Sequence, residues 1–175
     1  MTNRDIMRSA LKKHTITVLS QYGFSGKYPH YRRENDYCVD LVSFQTNKYG
    51  GSFSVEVSAV FPDSENANYC SYDKKSRETF MIDGTNERYR LPGMFDGWFY
   101  YQDVYLKRSL LFGKIYYPVR EKEVLTFVAP KGYHLVHKFD EMTAIQMCEE
   151  VNRQLVKGFE WLENMKKKRK KGESS

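Results

Sequence analysis

Alternating apolar and polar side chains mark the clearest strand in the chain, between residues 52 and 61. The apolar members are Phe53, Val55, Val57, Ala59 and Phe61, and the polar members are Ser52, Ser54, Glu56 and Ser58. This spacing of two predicts a strand with one buried face and one face in water. A similar segment over 37–45 precedes it, and the residues between the two, 47–51, have turn chemistry. Together they predict an antiparallel hairpin.

Helical periodicity occurs near both ends of the chain. Residues 3–22 carry apolar side chains on one broad stripe, and Gly23 stands where a glycine can end a helix in the left-handed conformation. Asp140 has the chemistry of an N-cap for a second amphipathic helix that is expected to end at about Met165. Trp161 lies off the apolar stripe of that helix. These patterns predict helices at both ends of the fold.

The remaining strand-like segments lie between the two helices. They are 27–33, 98–106, 114–119, 124–129 and 133–139, whereas 63–93 is expected to be irregular with at most one short strand. We therefore predict one α+β domain over residues 1–165. It should contain an antiparallel sheet of about five to six strands, with the N-terminal and C-terminal helices packed on one face.

The positive charge of the chain is concentrated at its C-terminus. The formal net charge is +6, and the run from Lys166 to Lys171 alone supplies six basic side chains, so the body is close to neutral. Blocks of like charge are usually solvated, which predicts a basic, disordered tail over 166–175. Such a tail would allow weak, non-specific binding of nucleic acid through Lys166 to Lys171.

The cysteines and the known loop signatures give no sign of catalysis. Cys38, Cys70 and Cys148 are odd in number and form no Cys-x-x-Cys pair, so we expect reduced thiols, no metal and no cofactor. Glycine-rich nucleotide loops, nucleophile elbows and metalloprotease motifs are all missing from the sequence. With no apolar segment of membrane-spanning length and no recognisable leader, we expect a cytoplasmic protein without a membrane partner.

Aromatic and basic side chains provide the candidate binding residues. If the segment 98–106 is one strand with Trp98 facing the core, then Phe99, Tyr101 and Tyr105 face away from it and are available to a partner. Trp161, off its helix's core stripe, would add to the same surface. Arg32 and Arg33 stand next to Tyr31 and could clamp an anion, although pairing with nearby carboxylates is the alternative.

Several short segments resemble one known family. They are Tyr22-Gly23-Phe24, Tyr31-Arg32, Phe44-Gln45, the alternating strand 53–61 and Gly158-Phe159-Glu160-Trp161-Leu162. In this order the chain resembles the bacterial domain of unknown function 4304 family. The resemblance implies a bacterial, cytoplasmic α+β domain with no established activity. Members of such families sometimes lie near toxin genes and are suspected immunity proteins.

Three classes of function are compatible with these features. The favoured class is a non-catalytic binding module, immunity-like or regulatory, whose partner is another protein. The first alternative is a nucleic-acid-binding protein that uses the basic tail with Arg32 and Arg33. The second alternative is a hydrolase or nuclease with an unrecognised site, assembled from residues that sequence spacing does not show to be close.

Overall fold

The N-terminal helical segment of the chain matches its prediction. A computed structural model describes residues 1–61, 82, 85 and 87–171. Helix α1 (Asn3–Ala10) continues through a π-helical turn (Leu11–Thr15) into helix α2 (Ile16–Gln21). The helix begins at a capping box, in which the Thr2 side chain accepts from the Asp5 backbone N–H and the Asp5 carboxylate accepts from the Thr2 backbone N–H. It ends at Gly23 (φ 82°), after which the N–H of Phe24 donates to the carbonyl of Leu19 at 3.0 Å.

The larger sheet has six strands, which confirms the predicted α+β class and strand number. They are β1 (Ser25–Lys27), β2 (His30–Glu34), β3 (Val39–Thr46), β4 (Ser52–Val60), β5 (Arg88–Arg90) and β6 (Phe99–Tyr100). The strands follow the order β1-β2-β3-β4-β5, and β6 also pairs with β4. The predicted turn over 47–51 joins β3 to β4. Most of the irregular stretch predicted over 63–93 lies outside the described residues. The part that is described contains one strand, β5.

Strand β4 is buried along its whole length, so the water-facing side predicted for it is wrong. Its polar side chains are satisfied inside the fold in two cases: Ser58 Oγ donates to the carbonyl of Glu87, and Glu56 accepts from Gln45 Nε2 at 3.0 Å. Neighbouring strands on both edges pair the backbone of β4, and the burial of both alternating sets of side chains means that both faces of the strand are covered.

A second, three-stranded antiparallel sheet was not anticipated. It consists of β7 (Val104–Ser109), β8 (Gly113–Pro118) and β9 (His134–His137), in the order β8-β7-β9. Segment 98–106 is therefore not one strand, because β6 and β7 belong to different sheets and the chain bends between them. The predicted strand 124–129 is also wrong: a 3₁₀-helix (Glu121–Glu123) ends directly before it, residues 124–126 form a turn, and residues 127–129 have no regular secondary structure.

The C-terminal helix is longer than expected. Helix α3 (Glu141–Lys170) has 30 residues, and its N-terminus is capped by Asp140 Oδ1, which accepts from the backbone N–H of Thr143 at 2.8 Å. The helix includes residues 166–170, so the prediction of a disordered tail starting at Lys166 is wrong for these residues. Residues 172–175 of that predicted tail lie outside the described residues.

The chain divides into two compact units. Unit 1 contains residues 1–17, 46–54 and 92–150, and unit 2 contains residues 18–45, 55–91 and 151–175. In unit 2, Gly158 of α3 lies against β4, because a Cβ placed on it would be 3.1 Å from Val57. One domain over 1–165 stays a prediction.

Among the described residues, no helix has both the length and the apolar character needed to cross a bilayer.

Candidate functional site

Two of the predicted binding residues are in the interior instead of on a surface. Phe99 is 0% exposed and stacks on Phe53 with ring centroids 5.2 Å apart, and Tyr101 is buried with its ring 6.4 Å from that of Phe139. The prediction that Phe99 and Tyr101 face outward is therefore wrong. The alternation assumed for 98–106 fails because the bend between β6 and β7 changes which side chains point inward.

The other two predicted aromatic residues are half-buried. The ring of Tyr105 lies 4.9 Å from that of Phe127, and the ring of Trp161 lies 5.8 Å from that of Tyr89. Each therefore has an aromatic neighbour inside its own unit that covers part of its surface. A binding role for Tyr105 and Trp161 stays a prediction.

Arg33 pairs with a carboxylate, which is the alternative to anion binding that the sequence left open. Its Nε and Nη2 donate to Asp40 Oδ2 at 2.9 and 2.7 Å, and its Nη1 donates to the carbonyl of Tyr22 at 3.1 Å. The guanidinium also lies 4.8 Å from the centre of the Phe24 ring. Arg32, its neighbour on β2, is half-buried and pairs in register with Leu41. Anion binding by Arg33 would compete with these contacts.

Asp40 is the centre of a buried charge cluster that sequence spacing did not reveal. Its carboxylate is fully buried, and the Oδ2 that binds Arg33 also accepts from Lys166 Nζ at 2.7 Å. Lys166 Nζ donates in addition to Glu163 Oε1 at 2.9 Å. Burial alone would lower the pKa of Lys166, but the hydrogen bonds to Asp40 and Glu163 outweigh it and raise that pKa. The cluster therefore ties the end of α3 to β2 and β3.

A basic cleft opens beside this cluster in unit 2. It has a volume of about 500 Å³ and is lined by Arg33, Asn35, Asp36, Tyr37, Glu163, Lys166, Lys167 and Lys170. The Arg169 guanidinium lies 4.4 Å from the centre of the Phe61 ring, and Lys170 Nζ lies 5.2 Å from that of Tyr37. Because Arg33 and Lys166 are engaged by Asp40, Lys167 and Lys170 are the lysines of this cleft best placed to meet an anion.

An exposed apolar tip joins β7 to β8 in unit 1. Leu110, Leu111 and Phe112 are 107%, 86% and 77% exposed, respectively. The turn is held from within, because Ser109 Oγ accepts from the backbone N–H groups of Leu111 and Phe112 at 3.3 Å. We call these three residues the hairpin tip. The signal in the sequence was an unbroken apolar triplet placed directly before Gly113, which has a φ of 69°.

The strands that carry the hairpin tip are basic. Lys107 and Arg108 precede it on β7, Lys114 follows it on β8, and residues 104–118 contain no acidic side chain. The register pairs Arg108 with Lys114 across the hairpin. The tip is thus an apolar surface with positive charge at its base.

Cys38 and Cys148 are free, buried thiols in the described part of the chain. Burial is the main cause that raises the pKa of each to about 11, and for Cys38 the neighbouring Asp40 carboxylate acts in the same direction. Cys70 lies outside the described residues. Groups of three or more histidine, cysteine, aspartate or glutamate side chains with metal-binding geometry do not occur among the residues described.

We expect Cys38 and Cys148 to be unreactive in the native protein. In a Cys70→Ser background, an aromatic disulfide reagent at about pH 8 should label neither thiol until a denaturant is added, since the reactive thiolate is scarce and access is blocked. The unfolded thiols ionise near pH 9 while the folded ones stay protonated up to about pH 11, so stability should fall as the pH rises through this window. Rapid native labelling of either thiol would contradict this assignment.

The fold and this surface define a small α+β protein with an exposed apolar hairpin and a buried charge cluster. Comparison with family models gives a match over residues 15–164 to the family described as Domain of unknown function (DUF4304). The chain belongs to this family, as the resemblance predicted. Comparisons with curated proteins and with solved structures gave no match. Bacterial origin and cytoplasmic location stay predictions.

Proposed function

We propose that the chain is a non-catalytic protein-binding module that docks its partner through the hairpin tip. The observation that carries the proposal is the near-complete exposure of Leu110, Leu111 and Phe112. Three adjacent large apolar side chains in water are unfavourable by about 25 cal/mol for each Å² of apolar surface, and burial against a partner recovers this free energy. Contiguous apolar surface of this kind is typical of interaction sites.

The charge around the tip specifies the partner. Lys107, Arg108 and Lys114 surround an apolar knob, so the complementary surface is an apolar pocket with carboxylates on its rim. Such complementarity would accelerate association and select the correct partner. An immunity-like or regulatory function is the form of this proposal that the family resemblance suggests, and it requires that the bound partner loses activity.

Replacing the hairpin tip should abolish partner binding without unfolding the protein. We expect the triple variant L110S/L111S/F112S to bind at least about 100-fold more weakly, because apolar anchors in an interface contribute about 1–2 kcal/mol or more each. The melting temperature should change little, since these side chains are exposed. The measurement is titration calorimetry with the protein that the wild-type chain captures from its native extract.

The matched control is L110M/L111M, which keeps the apolar surface and should retain affinity within about threefold. Wild-type affinity in the triple variant would contradict the proposal. The proposal would also be contradicted if the wild-type chain bound anionic lipid vesicles through the tip with the same affinity as the captured protein. The partner would then be a membrane.

Nucleic-acid binding is supported by one observation, the basic cleft with Lys167 and Lys170 on its wall. Binding of this kind would weaken steeply between low and physiological salt. The engagement of Arg33 and Lys166 by Asp40 removes two of the cations that the sequence assigned to this role. The protein-binding proposal is therefore preferred. A hydrolase or nuclease stays an alternative from the sequence.

A further inference from the structure

Unit 1 contains a cleft that neither the hairpin tip nor the charge cluster uses. It has a volume of about 790 Å³, which is within the range of small-molecule sites. The turn 46–51, residues 120–122, the start of α1 and the pair Tyr101-Gln102 form its walls. We call it the polar cleft. A smaller cleft of about 490 Å³ adjoins it and shares Asn47, Tyr49, Gly50, Gln102 and Arg120 as wall residues.

Gln102 is the unusual side chain of the polar cleft. It is only 8% exposed, and its carboxamide has no hydrogen-bond partner within the described part of the chain. A Cβ on Gly51 would lie 1.9 Å from Gln102 Oε1, so the amide is packed directly against the Gly50-Gly51 turn. The amide nitrogen and oxygen are not sealed from solvent, so their donor and acceptor groups can be reached from the cleft. The amide is thus placed to pair with a ligand.

A second unpaired polar atom lies behind the wall of the adjoining cleft. Ser52 Oγ is fully buried, with the residue 1% exposed, and it has no hydrogen-bond partner. Ser52 follows directly on the turn that Gln102 contacts. Its Oγ is closed to solvent, as is that of Ser54 on the same strand, so Ser52 places a polar interior behind the turn and adds no further contact for a ligand.

The wall of the polar cleft is strongly cationic. Arg4, Lys48, Arg120 and Lys122 line it, against the single carboxylate of Glu121. Both oxygens of Glu121 already accept from the backbone N–H of Asn3 at 3.1 Å. An anionic group, such as a phosphate, would therefore be attracted into the cleft.

Tyr49 supplies an aromatic surface to the same cleft. Its side chain is 74% exposed, and it lines both the polar cleft and the adjoining one. An exposed tyrosine ring is a platform on which a planar group stacks, and such stacking is sequence-tolerant for nucleic-acid bases. The Gln102 amide in the wall of the same cleft offers one donor and one acceptor side by side, which suits the edge of a base.

We propose that the polar cleft binds a small phosphorylated ligand with a planar, hydrogen-bonding head group, of which a mononucleotide is the simplest form. The amide of Gln102 pairs with the edge of the head group, and Tyr49 stacks on its face. The surrounding cations hold the phosphate, which for Arg120 would replace the Glu123 carboxylate 3.8 Å away. This inference is independent of the proposed protein partner.

The test is titration calorimetry of the full chain with the four ribonucleoside monophosphates. We expect at least one to bind with a Kd below about 100 µM, corresponding to about 5.5 kcal/mol. Gln102→Ala should weaken that binding at least tenfold, because the edge of the head group loses its partner. The matched control Gln146→Ala, an exposed glutamine on α3, should bind as wild type does.

Ribose 5-phosphate and inorganic phosphate separate recognition of the head group from attraction of the anion. Both should bind at least tenfold more weakly than the nucleotide, and equal affinity would overturn the proposal in favour of a simple anion site. No binding of any nucleotide at millimolar concentration would overturn it as well, as would wild-type affinity in a folded Gln102→Ala variant. If that variant fails to fold, the exposed positions decide: Tyr49→Ala and Arg120→Gln must each weaken binding at least tenfold.

Discussion

Replacing Asp40 with alanine is expected to destabilise the protein by about 3 kcal/mol. The carboxylate is fully buried and accepts from both Arg33 and Lys166 through the same oxygen, so its removal leaves these two cations with the exposed carboxylate of Glu163 as their remaining acidic neighbour. Breaking a buried ion pair by deleting one partner costs about 3–5 kcal/mol, and the lower figure applies because the Arg33 side chain is 25% exposed and can reach water. Urea unfolding followed by tryptophan fluorescence measures the change.

The control for this variant is Asp36→Ala, which removes an exposed carboxylate four residues away and should alter stability by no more than about 0.5 kcal/mol. Combining Asp40→Ala with Lys166→Met should recover part of the loss, because fewer unpaired buried charges remain. A cost below about 1 kcal/mol for Asp40→Ala would mean that the cluster is hydrated and does not hold α3 in place.

Deleting residues 166–175 should lower the melting temperature by about 6–12 °C. The deletion removes the Lys166 hydrogen bond to Asp40 and the cations that cover the rings of Phe61 and Tyr37, an estimated loss of about 3 kcal/mol. Scanning calorimetry measures the shift. The raised pKa of Lys166 also predicts a dependence of stability on pH. The stabilising contribution of Lys166 is complete below 10.5, the pKa of this side chain in the unfolded chain, and it is lost as the pH rises through the pKa in the folded protein.

Two point variants locate the cause of this shift. Lys166→Ala should account for most of it, whereas Lys168→Ala, an exposed lysine two residues further along α3, should have almost no effect. A melting temperature within about 2 °C of wild type after the deletion would restore the expectation of a passive tail.

The helices and the main hairpin were accessible from the sequence because short-range chemistry specifies them. Gly23 ends the first helix through its own left-handed conformation, and Asp140 begins the last one by a hydrogen bond to a residue three positions away. The turn over 47–51 joins two strands that are neighbours in the chain. Each signal is complete within a few residues, so no tertiary information is needed to interpret it.

The predicted binding surface failed at one particular place. Phe99 and Tyr101 were assigned outward positions by counting alternation through 98–106, yet the chain leaves one sheet after Tyr100 and enters another at Val104. Alternation holds only while a strand continues, and nothing in the local pattern marks the bend. The hairpin tip was visible as an apolar triplet, but only the structure shows that nothing in the described chain covers it.

The sequence by itself determined the α+β class, the two terminal helices and the family, since periodicity and capping act over a turn or two of chain. The tertiary structure decided the second sheet, the burial of β4, the docking of the basic end of α3 and the orphan amide of Gln102. Lys166 and Asp40 are 126 residues apart, and Gln102 meets a turn about fifty residues earlier. Contacts at such separations depend on how whole elements are arranged, so no local pattern of side chains encodes them.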